Sequence, residues 1–212
     1  MAKISYATVR RLSRYYRSLS LAERRHITTM SSEELARQNH LTAAQVRKDL
    51  SFFGAFGRRG LGYNVSDLKR NISRILGLDK TWNVAVVGAG NIGRALINFD
   101  QFKTQGFLIR LVLDNDPSKI GMSLGDLEVK DLRNIKNEIK TDHIDMAIIC
   151  VPANAAQKVV DMLTTDESGV KAILNFAPVS LSVPEGVFIR NENMAIEIES
   201  LSFALTNPEA VR

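Results

Sequence analysis

Cysteine and histidine are nearly missing from these 212 residues: there is one cysteine, Cys150, and three scattered histidines, His26, His40 and His143. A single thiol excludes an internal disulfide and a cysteine-rich zinc site. The histidines lack the close spacing of a metal cluster, so no metal site is expected. No apolar run approaches the roughly 18 residues of a membrane span. The opening stretch, MAKISYATVRR, has no apolar core of the secretory-signal kind. These absences point to a cytoplasmic, metal-free protein. The 45% hydrophobic content is ordinary for a soluble globular chain and suffices for a sizeable core.

Charge is present but unevenly spread. Residues 1–80 hold 16 Lys and Arg against 6 Asp and Glu, a net of +10, while residues 81–212 hold 12 against 17, a net of −5. A basic unit beside an acidic one suggests two tasks, the first with a polyanion as partner. From charge alone, a solvated basic face on an ordinary domain is an equal alternative.

The pattern of the basic part is helical. Tyr6 to Leu19 places Val9, Leu12, Tyr16 and Leu19 on one face, with Arg10, Arg11, Arg14 and Arg17 over much of the rest. Ser31 with Glu34 three residues later forms a capping box for a second helix. A turn over residues 38–41 follows, and Thr42 caps a third helix running to Phe53. Glycine-rich residues 54–65, with Arg58 and Arg59 at the tip, predict a β-hairpin. A fourth helix spans Ser66 to Leu76, with Leu68, Ile72, Ile75 and Leu76 inward, and Gly77 ends it.

Two short helices joined by a tight turn, about residues 15–54, make a helix-turn-helix whose second helix can enter a major groove. That helix presents Thr42, Ala44, Gln45, Arg47 and Lys48. Gln45 suits an adenine edge and Arg47 a guanine edge, Ala44 a thymine methyl, and Lys48 a phosphate. Arg10 and Arg14 add positive charge, and Arg58 and Arg59 suit a narrow minor groove. Helix pairs of this spacing also occur in plain helical caps, so the prediction of double-stranded DNA as partner rests on the combination.

From Trp82 the texture changes. Apolar runs at Val84–Val87, Leu108–Leu113, Asp145–Val151, Ala172–Phe176 and Val187–Ile189 suit strands buried on both faces. Helices over Ile92–Gln105, Val129–Lys140 and Ala155–Thr165 would be the crossovers. This is the doubly wound α/β pattern of a Rossmann domain. Gly88-Ala89-Gly90-Asn91-Ile92-Gly93 follows the first strand and opens the first helix, the context in which G-x-G-x-x-G holds a dinucleotide pyrophosphate. Asp114 ends the second strand, 26 positions after Gly88, and with Asn115 faces the adenosine ribose, favouring NAD over NADP. In Asp114-Asn115-Asp116-Pro117 the same residue also reads as a turn former. Val151, Pro152 and Ala153, with Phe176, Ala177 and Pro178, end later strands and would wall the nicotinamide half.

No catalytic residue is expected. His143 precedes its strand, at the end remote from a cofactor, and Cys150 has no histidine partner in view. The runner-up is a small NAD-dependent oxidoreductase with a basic regulatory head. A coenzyme A sensor is a third reading, against which Asp114 argues.

These motifs together resemble the Rex family of redox-sensing transcriptional repressors. The resemblance rests on Arg11–Arg17, Thr42–Gly54, Gly57–Tyr63, Gly88–Gly93, Asp114–Pro117, Val151–Ala153 and Ile173–Val179, and covers nearly the whole chain. It implies a winged-helix DNA-binding domain over residues 1–78, an NAD(H)-binding Rossmann domain over 79–192 and a dimerisation helix within 193–212. It further implies a homodimer in which that helix, about Ala195–Leu205, crosses to the partner. The family binds an inverted-repeat operator and leaves it when NADH binds. Phe99 stands where the family commonly has Tyr, so a hydroxyl contact from that position is absent here.

Overall fold

The structure, a computed structural model, describes residues 4–58, 61–165 and 169–210, and the chain divides into two compact units, Met1–Lys80 and Thr81–Arg212. In the first unit, helices α1 (Tyr6–Arg24), α2 (Ser32–Gln38), α3 (Ala43–Ser51) and α4 (Val65–Leu76) surround a small antiparallel sheet. Its strands are β1 (Thr29–Met30), β2 (Gly57–Arg58) and β3 (Gly62–Asn64), in the order β1-β3-β2. Leu12, Tyr15, Leu19, Leu35, Val46, Leu50, Leu68 and Ile72 form the core. Each fully buried side chain of this size contributes about 1.5–3 kcal/mol of apolar transfer.

Helix α1 turns a different stripe inward from the one its spacing predicts. Thr8, Leu12, Tyr15, Leu19 and Ala22 are buried, while Val9 and Tyr16 are half-buried. The rotation has a polar cause: the Tyr15 hydroxyl donates to buried Asp49 at 2.8 Å, so the ring can go inside without losing its hydrogen bond. Helix α3 ends at Ser51 instead of Phe53, with Phe52 as its C-cap. Asn64 caps α4, and Gly77 closes it in the left-handed conformation.

The second unit is a seven-stranded sheet, with β4 (Trp82–Val87), β5 (Phe107–Asp114), β6 (Ser123–Leu124), β7 (Leu127–Asp131), β8 (Met146–Ile149), β9 (Ala172–Asn175) and β10 (Phe188–Asn191). The order is β10-β9-β8-β4-β5-β7-β6, parallel except for β6. Counted from β4, six parallel strands follow the order 3-2-1-4-5-6 of dinucleotide-binding folds, with the reversal between β4 and β8. Alternation along the strands feeds two layers. Ala85, Val87, Leu111, Leu113, Ala147 and Ile149 pack with α7 (Ile135–Thr141) and α8 (Ala153–Leu163). Val84, Val86 and Ile148 pack on the opposite face against Leu96, Ile97 and Phe102.

Two expected crossover helices differ. The span Ile92–Gln105 is two helices, α5 (Asn91–Ile97) and α6 (Asp100–Thr104). The Asn98 amide donates back to Arg94 O at 3.0 Å, Phe99 is extended, and its ring meets Phe102 edge-on at 5.2 Å. The span Val129–Lys140 begins as strand β7, turns through a short 3-10 segment at Leu132–Asn134, and becomes helical only at α7. Leu127 and Val129 alternate with Glu128 and Lys130, the two-residue period of a strand. The Asp131 side chain accepts from Arg133 N and bends the chain there.

Candidate functional site

The crevice outside the carboxyl ends of β4 and β8 is built by the glycine segment. Gly88 has φ +104, and a Cβ there would lie 2.6 Å from Cys150 O; at Gly93 it would lie 2.0 Å from Gly88 O. These two glycines let strand, helix and neighbouring loop close on one another. Gly90 differs: a Cβ there would meet nothing within 4 Å. Gly90 is the N-cap of α5 and offers no side-chain cap to the first amides of the helix. This is a cradle for an anion that needs close backbone approach, and the residues present fit a dinucleotide pyrophosphate.

Asp114 closes one side of the cradle. Its Oδ2 accepts from Ala89 N at 2.7 Å and from Lys119 Nζ at 3.2 Å, and its Oδ1 accepts from Asp116 N at 2.9 Å. Burial raises its pKa, but the Asp116 and Ala89 amides and the Lys119 ammonium outweigh that and hold the carboxyl below its ordinary value. Three of about four acceptor positions are thus filled by the chain itself, leaving room for one ribose hydroxyl rather than two. The turn-forming reading of Asp114 is visible in these bonds, and one acceptor position is left without a partner from them. Asn115 beside it is exposed. Lys119 and Arg94, whose Nε donates to Ala89 O at 3.1 Å, are functional candidates that motif reading passed over. The Asp114 to Lys119 spacing alone carries no signal.

On the other side, Val151 is half-buried, Pro152 and Ala153 open α8 and are exposed, and Phe176 is half-buried with its amide on Ile149 O at 2.9 Å. Ala177 is buried and Pro178 exposed. Asn175, fully buried at the end of β9, holds this loop: its Nδ2 lies 3.2 Å from Ala177 O and 2.9 Å from Val179 O, and its Oδ1 accepts from Ala177 N at 2.9 Å. Burial pushes the pKa of the half-buried Cys150 thiol up to about 11, the direction that disfavours the thiolate. No group of three or more metal-ligating side chains occurs among the described residues. Nor is any helix among them long and apolar enough to cross a membrane.

In the first unit, Thr42 caps α3 by accepting from Gln45 N at 3.2 Å, and Ser31 and Glu34 complete the capping box of α2. Asp49, with none of its surface exposed, joins α3 to α1. Arg11 donates Nε to Oδ2 at 2.6 Å and Nη2 to Oδ1 at 2.7 Å, and Tyr15 and Gln45 donate at 2.8 Å each. Burial raises the Asp49 pKa, but these donors reverse the shift and leave the carboxyl below its usual range.

This network changes the picture of the reading face. Ala44, Arg47 and Lys48 are exposed, but Gln45 is half-buried and its amide nitrogen is committed to Asp49. Arg47 donates Nη1 to Ser32 Oγ at 2.8 Å and Glu33 Oε1 at 3.1 Å, so part of its guanidinium already binds α2. Arg14 donates to Asn39 O, and Arg10 is exposed. Arg58 ends β2, and Arg59 lies outside the described residues. Between α3 and the hairpin runs an open groove of about 850 Å³, lined among others by Arg47, Ser51, Gly57 and Tyr63.

Comparison with known proteins bears on both units. A family model described as "CoA binding domain" matches residues 79–179, and one described as "Putative DNA-binding protein N-terminus" matches residues 3–51. The chain is 45% identical to the redox-sensing transcriptional repressor Rex of Desulforamulus reducens, with 98% of each chain covered. It is 46% identical to that of Desulfitobacterium hafniense, with 95% of each covered. A solved structure of RSP in complex with β-NAD⁺ and operator DNA superposes with a TM-score of 0.93 at 38% identity, covering 99% of this chain and 96% of that one. RSP in complex with β-NADH gives 0.88 at 37% identity, with 99% and 98% covered.

Proposed function

The chain belongs to the Rex family of redox-sensing transcriptional repressors, and from that premise we propose that it binds an inverted-repeat operator as a homodimer and leaves it when NADH binds. Transcription would then follow the NADH/NAD⁺ balance of the cytoplasm. The observation that carries this reading is the union, in one chain, of a helix-turn-helix on a unit of net charge +10 with a glycine cradle at a 3-2-1-4-5-6 switch point.

Within the cradle, the Gly90 opening and the first amides of α5 receive the pyrophosphate. Asp114, positioned by Lys119 and Ala89, accepts from a ribose hydroxyl. Ala89, Asn91, Ile92 and Asn115 line the adenosine half, and Val151–Ala153 and Phe176–Pro178 the nicotinamide half. The reduced ring is uncharged and the oxidised ring carries a positive charge, so an apolar wall such as Phe176 discriminates between them by desolvation. On α3, Thr42, Ala44, Gln45 and Arg47 face base edges and Lys48 a phosphate, with Arg10, Arg14, Arg58 and Arg59 flanking.

Helix α9 (Met194–Thr206) supports the homodimer. Ile198, Leu201, Phe203 and Leu205 on it are 67%, 65%, 55% and 85% exposed, an apolar load that a second copy of the chain would cover. The two reading helices of such a dimer must match half-sites one helical turn or more apart, so any change in their separation releases DNA.

The test is a titration of an inverted-repeat duplex, selected by the protein from a randomised pool, with NADH and with NAD⁺. Release by NADH at concentrations where NAD⁺ leaves the complex intact is expected. Equal, null responses to both would refute the sensor reading.

A further inference from the structure

The loop after β9 and the beginning of α9 are tied to the same buried side chain. Asn175 and Asn191 are register partners at the last rung between β9 and β10. Across that rung the Asn175 Nδ2 donates to Asn191 Oδ1 at 2.9 Å, and the Glu192 amide donates to Asn175 O at 2.8 Å. Two residues after Asn191, Asn193 caps α9 by accepting from Ala195 N at 3.0 Å. The same Asn175 amide fixes the carbonyls of Ala177 and Val179, and its oxygen fixes the Ala177 amide. An apolar residue would fill this buried position more cheaply if packing were the only requirement, because a buried amide must satisfy every polar atom it brings.

We infer that Asn175 and Asn191 form a positioning clamp that transmits the state of loop 176–179 to the start of α9, and so couples nicotinamide binding to operator release. The inference rests on the function proposed above. A shift of the loop on ligand binding moves the Asn175 amide, and the amide can move only with the 191–193 segment or by breaking its bond to Asn191. The Asn175 Nδ2 has two protons shared among three acceptors, so the carbonyls of Ala177 and Val179 suffice to occupy it and the loop alone does not need Asn191; the link to α9 does. Two discrete arrangements of one hydrogen-bonded unit are what allow a small displacement at a ligand to bias a distant equilibrium.

Asn191 is exposed at the sheet edge, so Asn191→Ala should fold. Asn191→Asp keeps an acceptor oxygen for the Asn175 amide. Three quantities are measured for each: NADH affinity of the free protein by calorimetry, operator affinity without NADH, and operator affinity with saturating NADH. For Asn191→Ala the first two are expected to stay within about threefold of the unsubstituted chain. The factor by which NADH weakens operator binding, about 5 to 150 for couplings of this kind, should fall close to one. Asn191→Asp should restore most of it. An unchanged coupling factor in Asn191→Ala overturns the clamp. So does a loss of NADH affinity, which would place Asn191 in the ligand site itself. If the unsubstituted chain shows no NADH response at all, the repressor reading fails first and takes the clamp with it.

Discussion

A methyl group added at Gly93 would sit 2.0 Å from a carbonyl oxygen, whereas one added at Gly90 would touch no protein atom. The two glycines of one motif therefore separate stability from binding. Gly90 has φ −80 and ψ −167, which an alanine adopts without strain. Gly90→Ala is expected to keep the melting temperature within about 2 °C and to weaken NADH binding at least about tenfold, because its methyl occupies the ligand's approach. Gly93→Ala should lose both, since helix α5 must back away from β4. Calorimetric titration beside a thermal melt distinguishes them, and a Gly90→Ala protein with unaltered NADH affinity would remove the phosphate from this cradle. Asp49 gives the second prediction at this scale. Its carboxyl is held below the ordinary 3.8 in the fold. The stability it contributes is fully present above that value and is lost as pH falls through the lower folded value. Asp49→Ala strands Arg11 and the Tyr15 hydroxyl and should cost about 3 kcal/mol at neutral pH, and less by pH 3, as urea midpoints at the two pH values would read. The glycine spacing was visible in the sequence because chemistry fixes it within six positions. The Arg11–Asp49–Tyr15 network was not, because its members lie 34 and 38 positions apart and only the fold brings them together.

Elements whose pattern matched one periodicity were legible: the capping box of α2, the Thr42 cap of α3 and the continuous apolar strands all stand where the residues put them. One failure fell where a short stretch satisfied two patterns. Leu127 to Asp131 alternates for five residues and runs straight into the helical spacing of Ile135 and Ile139, so strand β7 merged with α7 when read as one segment. Its existence is settled by partners, β5 on one side and β6 on the other, which no local window contains. The reading helix shows the same limit, since contacts across elements decide what its side chains offer. Lys48→Ala is expected to weaken operator binding and lower the slope of log affinity against log salt by about one. Arg47→Ala should instead flatten preference among duplexes differing at single base pairs, even though Arg47 must share its guanidinium with Glu33 and Ser32. Binding isotherms at three salt concentrations against a panel of duplexes provide the measurement. If Lys48→Ala were the substitution that erased base preference, the two roles would be exchanged.

At the scale of the whole molecule, the asymmetry of charge and the asymmetry of exposure describe different partners. The basic unit faces a polyanion; the acidic unit carries α9, a thirteen-residue helix of which every residue but Ala204 is exposed although six are large and apolar. By itself the segment shows only that these residues are apolar, because an unpaired helix and a core helix have the same composition; the expectation of a partner over it comes from the family resemblance alone. The proposed second copy of the chain would cover these residues, and it would match the proposed inverted repeat, since two-fold protein symmetry and a palindromic site go together. Leu201→Glu places a charge in the middle of that face. It should shift the sedimenting species from dimer to monomer at micromolar concentration and weaken operator binding by at least about tenfold, because one winged helix then binds one half-site without the gain from tethering. Binding to an isolated half-site should be unchanged, and that separates lost dimerisation from a damaged reading head. In the proposed dimer, reciprocity fixes one further quantity: whatever factor NADH takes from operator affinity, saturating operator must take from NADH affinity. Calorimetric NADH titrations with and without the duplex measure that factor independently of any DNA-release assay. Unequal factors would mean that the duplex and the nucleotide act on different equilibria of the protein, and that a single two-state dimer does not connect them.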